Sequence, residues 1–117
     1  MSTEQTVISY AKRTPIGKMS GAFAKTPAPQ LGATLVKDAL KATGLAGDKV
    51  DEIIMGCVLP AGVGQAPARQ AAIHGGLPTS VCATTINRVC GSCRNSAMLA
   101  DQIVRVGRSD VVIAGGI

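Results

Sequence analysis

Two cysteines three residues apart, in Val89-Cys90-Gly91-Ser92-Cys93, are the residues of this sequence best suited to covalent chemistry. They stand where an apolar, β-prone run gives way to a helical pattern. A thiol at such a junction faces backbone amides that lack intrahelical partners and the positive end of the helix dipole, which favour the thiolate, the nucleophilic form. Gly91 would let an acyl group approach the backbone closely. Free cysteines are also small hydrophobes that are often simply buried, so position alone leaves a nucleophile and a core thiol both open.

The spacing suits a dithiol redox pair as well, although no Trp precedes it and the order of the preceding elements is not that of a small redox domain. A zinc site would need Cys57, Cys82 or His74 to join the pair, and none brings a second closely spaced ligand doublet. No metal is expected. His74, the sole histidine, is a conceivable base for Cys90, but it reads more simply as a surface residue at a helix end. Gly62-Val-Gly64 begins like a phosphate loop yet lacks the third glycine and the Lys-Ser/Thr pair. Arg69 and Gln70 read as the exposed side of a short helix.

These residues must be positioned by alternating strands and helices. Thr6-Val-Ile-Ser-Tyr-Ala11 predicts a buried first strand, followed by the turn-rich Arg13-Thr-Pro-Ile-Gly17. Thr26 is placed to cap a helix that tolerates Pro27 and Pro29 in its first turn, with Leu31, Leu35, Ala39 and Leu40 on one face and Gly44 as its stop. Glu52 to Leu59 reads as a strand covered on both faces, Pro67 to Ile73 as a short helix closed by Gly75-Gly76, and Ala83 to Ile86 as a third strand. Gly91-Ser92 opens a helix with Ala97, Ala100, Ile103 and Val104 on one face and Gly107 as its stop. Asp110 to Ala114 is a fourth strand before Gly115-Gly116. This βαβαβαβ order predicts an α/β fold with a mainly parallel sheet, helices on both faces, and ligands at the carboxyl ends of the strands.

The 117 residues suffice for one domain. With Tyr10 and Phe23 as the only aromatics, the chain has no stacking platform for bases. Its charge of +5, from 12 Lys and Arg against 7 Asp and Glu, is spread singly along the sequence. No nucleic-acid partner is expected, and an anionic small molecule would suit the charge equally well. The charge-free stretch between Glu52 and Arg69 is broken by Gly56, Pro60, Gly62, Gly64 and Pro67, so no membrane span is expected. Met1 to Gln5 shows no secretory signal, which points to the cytoplasm and to reduced thiols.

Seven segments then occur in a familiar order: Arg13-Thr-Pro-Ile-Gly17; Gln30-Leu-Gly32; Val50-Asp-Glu52 with Met55-Gly56 and Val58-Leu59; Gly64-Gln-Ala-Pro-Ala-Arg-Gln70; Gly76-Leu-Pro78; Thr84-Thr-Ile-Asn87 with Val89-Cys-Gly-Ser92; and Asp110-Val-Val-Ile-Ala-Gly-Gly116. Together, from residue 7 to 117, they resemble the N-terminal part of a thiolase, an acetyl-CoA acetyltransferase or 3-ketoacyl-CoA thiolase. The resemblance implies an α/β/α layered half-domain with strands in the order 3-2-1-4-5. Residues 1–117 would form an incomplete N-terminal domain, ending before the fifth strand and lacking the loop domain and the C-terminal half.

The resemblance makes Cys90 the acylated nucleophile, its backbone amide one donor of an oxyanion hole, with coenzyme A thioesters as substrates and no further cofactor. It implies acetyl transfer between two acetyl-CoA molecules to give acetoacetyl-CoA, or the reverse thiolysis. It implies too a homo-oligomer, or a companion chain carrying the missing half. The chain departs from the family pattern at Cys93, Arg94 and Asn95, where Gly and then Leu or Met are usual. The family's activating histidines and second catalytic cysteine would lie in absent segments, so residues 1–117 alone are expected to lack turnover. A non-catalytic remnant or interaction module, and a dithiol oxidoreductase, are the competing expectations.

Overall fold

The computed structural model describes residues 5–117, so Met1 to Glu4, on which the expected absence of a secretory signal rests, lie outside the described residues. Helix α1 (Ala28–Thr43) and a 3-10 turn (Gly47–Lys49) are followed by β1 (Glu52–Gly56), α2 (Pro67–His74), β2 (Cys82–Ile86), α3 (Ser92–Arg105) and β3 (Val112–Gly116). The three strands form one parallel sheet in the order β2-β1-β3. β1 is central and wholly buried, as its continuous apolar run predicts.

Period-two alternation sends Ile53 and Met55 to one face of β1, where they join Val36 of α1 and Ala68 and Ala72 of α2 in the core. Ile54 and Gly56 take the opposite face, beneath α3. Three layers result: α1 and α2, the sheet, and α3. No helix among the described residues is long and apolar enough to cross a membrane.

Several expected elements differ. Thr6 to Ala11 belongs to no strand, and Val7 and Ile8 are 81% and 85% exposed. The order 3-2-1-4 is likewise replaced: all five residues of β1 pair directly with β3 on one side and with β2 on the other, which leaves no space for a strand between them. The N-terminal segment instead lies against α1, where the Tyr10 hydroxyl donates to Asp38 Oδ2 at 2.7 Å and Lys12 Nζ donates to the same oxygen at 3.0 Å. Burial and then the Asp38 contact push the Tyr10 hydroxyl up to about 12, while Tyr10 and Lys12 hold Asp38 below its ordinary value.

The fourth predicted strand also begins two residues later, so that Gly115 and Gly116 fall inside β3 and pair with Met55 and Gly56. β1 stops at Gly56, short of Leu59. In α1, Pro27 rather than Thr26 occupies the N-cap, and Gly44 closes the helix in the left-handed region at φ 72°. Ala39 is buried as expected, together with Pro29, Gly32, Ala33 and Val36, while the leucines are only partly buried. Close packing is the reason, since a Cβ on Gly32 would stand 2.8 Å from Ile117 and 3.2 Å from Ala71. Likewise α3 buries Ser92, Ser96 and Ala100, leaving Ala97 exposed.

Two contacts hold β3 and α3 in place. Asp51 Oδ2 accepts from the amides of Asp110 and Val111 at 2.8 and 3.0 Å, fixing the entry to β3. At the other end, a Cβ on Gly56 would lie 2.5 Å from Ser92 Cβ and 2.7 Å from its carbonyl carbon. Gly56→Ala is therefore expected to displace α3 and to lower stability by about 1–3 kcal/mol, measured by urea unfolding; an unchanged midpoint would contradict the close approach. The two amide bonds hold Asp51 below its ordinary 3.8. A carboxylate lowered in the folded state contributes stability above its unfolded value and loses it as pH falls through the folded value. The stability gap between wild type and Asp51→Asn should accordingly shrink below about pH 4, and a gap constant from pH 7 to 3 would refute this role.

Candidate active site

The five residues that join β2 to α3 make a tight reversal at the carboxyl end of the sheet. Gly91 donates to Arg88 O at 3.1 Å and Ser92 N to Val89 O at 3.1 Å, giving two overlapping turns around Cys90. The Ser92 hydroxyl, itself buried, accepts from the Arg88 amide at 2.8 Å and donates to Val89 O at 2.6 Å. Asn87 Oδ1 takes the Val89 amide at 3.0 Å. Within residues 88–92 the Cys90 amide alone donates to no protein group among the described residues.

Val89 adopts φ 49°, a left-handed conformation that is a clear outlier for a β-branched side chain. Such a residue costs on the order of 1–2 kcal/mol relative to the right-handed regions, and it persists because the surrounding bonds fix it. The consequence is exposure of Cys90 at the head of α3. Within residues 5–117 Cys90 is thus not packed as a core thiol. Cys57 is the cysteine that behaves as a core thiol, buried behind β1, while Cys82 and Cys93 are exposed.

The turn was only partly readable. Asn87 has the short amide side chain that favours local turns, and Ser92 is a hydroxyl residue just inside a helix; these are the signals that could have identified the residues shaping the elbow. Nothing in the sequence marks Val89 for a left-handed backbone.

His74 is not brought to Cys90. α2 leaves the carboxyl end of β1 and runs back, so its last residue lies toward the amino end of the strands, beside Gln30, Thr34 and Lys37 of α1. Asp48, Asp51, Glu52 and Asp110 gather at that same amino end by topology. There Glu52 is buried, 3.4 Å from Thr84 Oγ1 and 3.9 Å from Arg108 Nη2. Asp101 lies far along α3, paired with Arg105 at 2.8 Å. The charged residues on the Cys90 turn and the first turn of α3 are instead Arg88 and Arg94, both exposed.

Arg69 and Gln70 are half-buried rather than on an exposed helix side. Arg69 binds the carbonyls of Val81 and Thr79 at 2.7 and 2.9 Å, fastening α2 to the approach to β2. Gln70 Nε2 donates to the carbonyls of Val63 and Gln65, both at 2.8 Å. That bond shapes the loop containing Gly62 and Gly64, which both take positive φ. Among the described residues no group of three His, Cys, Asp or Glu is placed to hold a metal ion.

An exposed thiol on a strained turn, with a free amide of its own and two guanidinium groups nearby, is equipped to take up an acyl group from an anionic donor. The family model described as "Thiolase, N-terminal domain" matches residues 6–117. An acetyl-CoA acetyltransferase of Cupriavidus necator is 53% identical over 110 residues, covering 94% of this chain and 28% of the relative. A probable acetyl-CoA acyltransferase of Staphylococcus aureus shows the same identity and coverage. This chain thus spans little more than a quarter of the length of those curated relatives, and over that span it belongs to the thiolase family, matching the N-terminal domain of its members.

Proposed function

We propose that this chain carries the nucleophile of a thiolase-type acyltransferase acting on acetyl-CoA or a related acyl-CoA. The observation that carries the reading is the exposure of Cys90 on a turn that leaves its own amide without a partner. In the proposed step the Cys90 thiolate sulfur bonds to the thioester carbonyl carbon. The carbonyl oxygen gains negative charge, and the Cys90 amide is the donor available to it. The carbon–sulfur bond to coenzyme A then breaks, leaving acetyl-Cys90 and the coenzyme A thiolate. Attack on acetyl-Cys90 by the α-carbon of a second acetyl-CoA, after loss of a proton, gives acetoacetyl-CoA and restores the thiolate; thiolysis runs the steps backwards.

Arg88 and Arg94 support the reading because they offer positive charge to a phosphate-bearing thioester. No carboxylate or imidazole of the described residues stands beside the thiol to move the protons. The reading therefore assigns proton transfer to segments outside residues 1–117 or to a companion chain, and gives these residues alone no turnover. The open outer edge of β2 supports self-association, because an unpaired strand edge is a template for another strand. A cytoplasmic location and a place in fatty-acid metabolism complete the reading.

Incubation of residues 1–117 with acetyl-CoA should deposit an acetyl group on Cys90 and nowhere else, seen by peptide mass mapping, without catalytic turnover of acetoacetyl-CoA. Missing acid–base and oxyanion groups typically cost on the order of 10² to 10⁴ in rate each. In a protein that also contains the remaining segments, Cys90→Ser should lower kcat by on the order of 10⁴ or more. Turnover by residues 1–117, or full activity of Cys90→Ser, would overturn the assignment. Light scattering after size exclusion should show concentration-dependent association, and a monomer at all concentrations would remove the β2 edge from the reading.

A further inference from the structure

Cys93 has no task in the acyl-transfer steps, yet it stands one helical turn from the nucleophile. Gly91 has φ −84° and ψ 1°, and Ser92 begins α3. Residues 91 and 92 thus form a right-handed reversal of the kind that brings the flanking Cα atoms within about 7 Å. A disulfide bridges Cα atoms roughly 4.4–6.8 Å apart, a range that overlaps the span of such a reversal. Both cysteines are exposed. The Cys93 sulfur rests over Gly116, occupying the place a Cβ would take there. That contact is a van der Waals one with a glycine, and no hydrogen bond or metal ligand set holds the sulfur in place among the described residues. Arg88 and Arg94 provide positive charge at the same end of α3, suiting a negatively charged oxidant.

We propose that Cys90 and Cys93 form a reversible disulfide that masks the nucleophile. The oxidant is a low-molecular-mass disulfide of the glutathione class. The Cys90 thiolate attacks one of its sulfurs, forming a mixed disulfide and releasing one thiolate. The Cys93 thiolate then attacks the Cys90 sulfur, closing the protein disulfide and releasing the second. The protein dithiol loses two electrons, the small disulfide gains them, and the two protons end on the released thiols. While the bond lasts, Cys90 has no free sulfur to receive an acyl group. Only this last consequence rests on the function proposed above.

The test equilibrates the reduced protein with oxidised glutathione, traps thiols with iodoacetamide and maps the products by mass spectrometry, with circular dichroism as the check on folding. Wild type should lose labelling at Cys90 and Cys93 together, yield a peptide linked 90–93, and regain both thiols on reduction. Cys93→Ser should instead accumulate the glutathione adduct on Cys90 about tenfold above wild type. A stable Cys90 adduct in wild type with Cys93 still alkylated, or a bond from Cys90 to Cys82 or to another chain, would overturn the proposal. Because the readout is thiol chemistry, its outcome stays separate from that of the acetylation experiment.

Discussion

The contact of α3 with the sheet at Gly56 and Gly116 governs what surrounds it. A helix normally rests on a sheet through bulky side chains, but here the first turn of α3 lies almost on the backbone of β1 and β3. Ser92, Ser96 and Ala100 form the buried seam, and the Ser96 hydroxyl lies 2.8 Å from Gly115 O and 2.6 Å from Cys93 O, its proton shared between them. Lowering the helix this far shortens the path from the end of β2 to the start of α3. The chain then has only residues 87–91 in which to turn, and Val89 takes the left-handed conformation as a result.

The strain at Val89 and the exposure of Cys90 are two aspects of one geometry. A relaxed connection would be longer and would let its amides bond one another or face water at random. In this turn Asn87 and Ser92 satisfy the amides of Val89 and Arg88, and the turn itself satisfies those of Gly91 and Ser92. Each such bond contributes about 1 kcal/mol net, enough together to hold one residue in an unfavourable region. Among the described residues the amide of Cys90, immediately beside the thiol, is the one in this turn with no protein partner.

How much of this was legible follows from which signals are local. β1 and α2 were readable because a continuous apolar run and a proline at a helix start depend on near neighbours. The change from an apolar run to a helical pattern likewise placed Cys90 just before a helix, where the structure has it. Thr6 to Ala11 misled because β-propensity says that a segment suits a sheet, not that an edge is available to receive it. The helix faces were read in part, Ala39 and Ala100 being buried as expected, but α1 and α3 each approach their side of the sheet so closely that Gly32, Ala33, Ser92 and Ser96 line the contacts where larger apolar residues were expected. Gly115 and Gly116 looked like the end of a strand, yet as strand residues they admit Met55 on one face and Cys93 on the other. The backbone of Val89 follows from that packing, and no residue near it in sequence announces it.

The distribution of ionisable groups separates placing a nucleophile from moving protons. Parallel strands give the sheet two chemically different ends, and short connections deliver Asp48, Asp51, Glu52 and Asp110 to the amino end. Those carboxylates serve structure there: Asp51 fixes the entry to β3, and Glu52 is buried against the sheet. The carboxyl end receives Cys90, a free amide and two arginines. Such a set can hold an anion and accept an acyl group, but arginine stays protonated and neither donates nor removes protons at neutral pH. The proton abstraction from a thioester α-carbon that the proposed function requires needs a base of a different kind. The strand–turn–helix from Cys82 to Gly116 therefore positions the Cys90 thiol by its own packing, and under the proposed function the base would have to approach from a surface that residues 5–117 do not form around it.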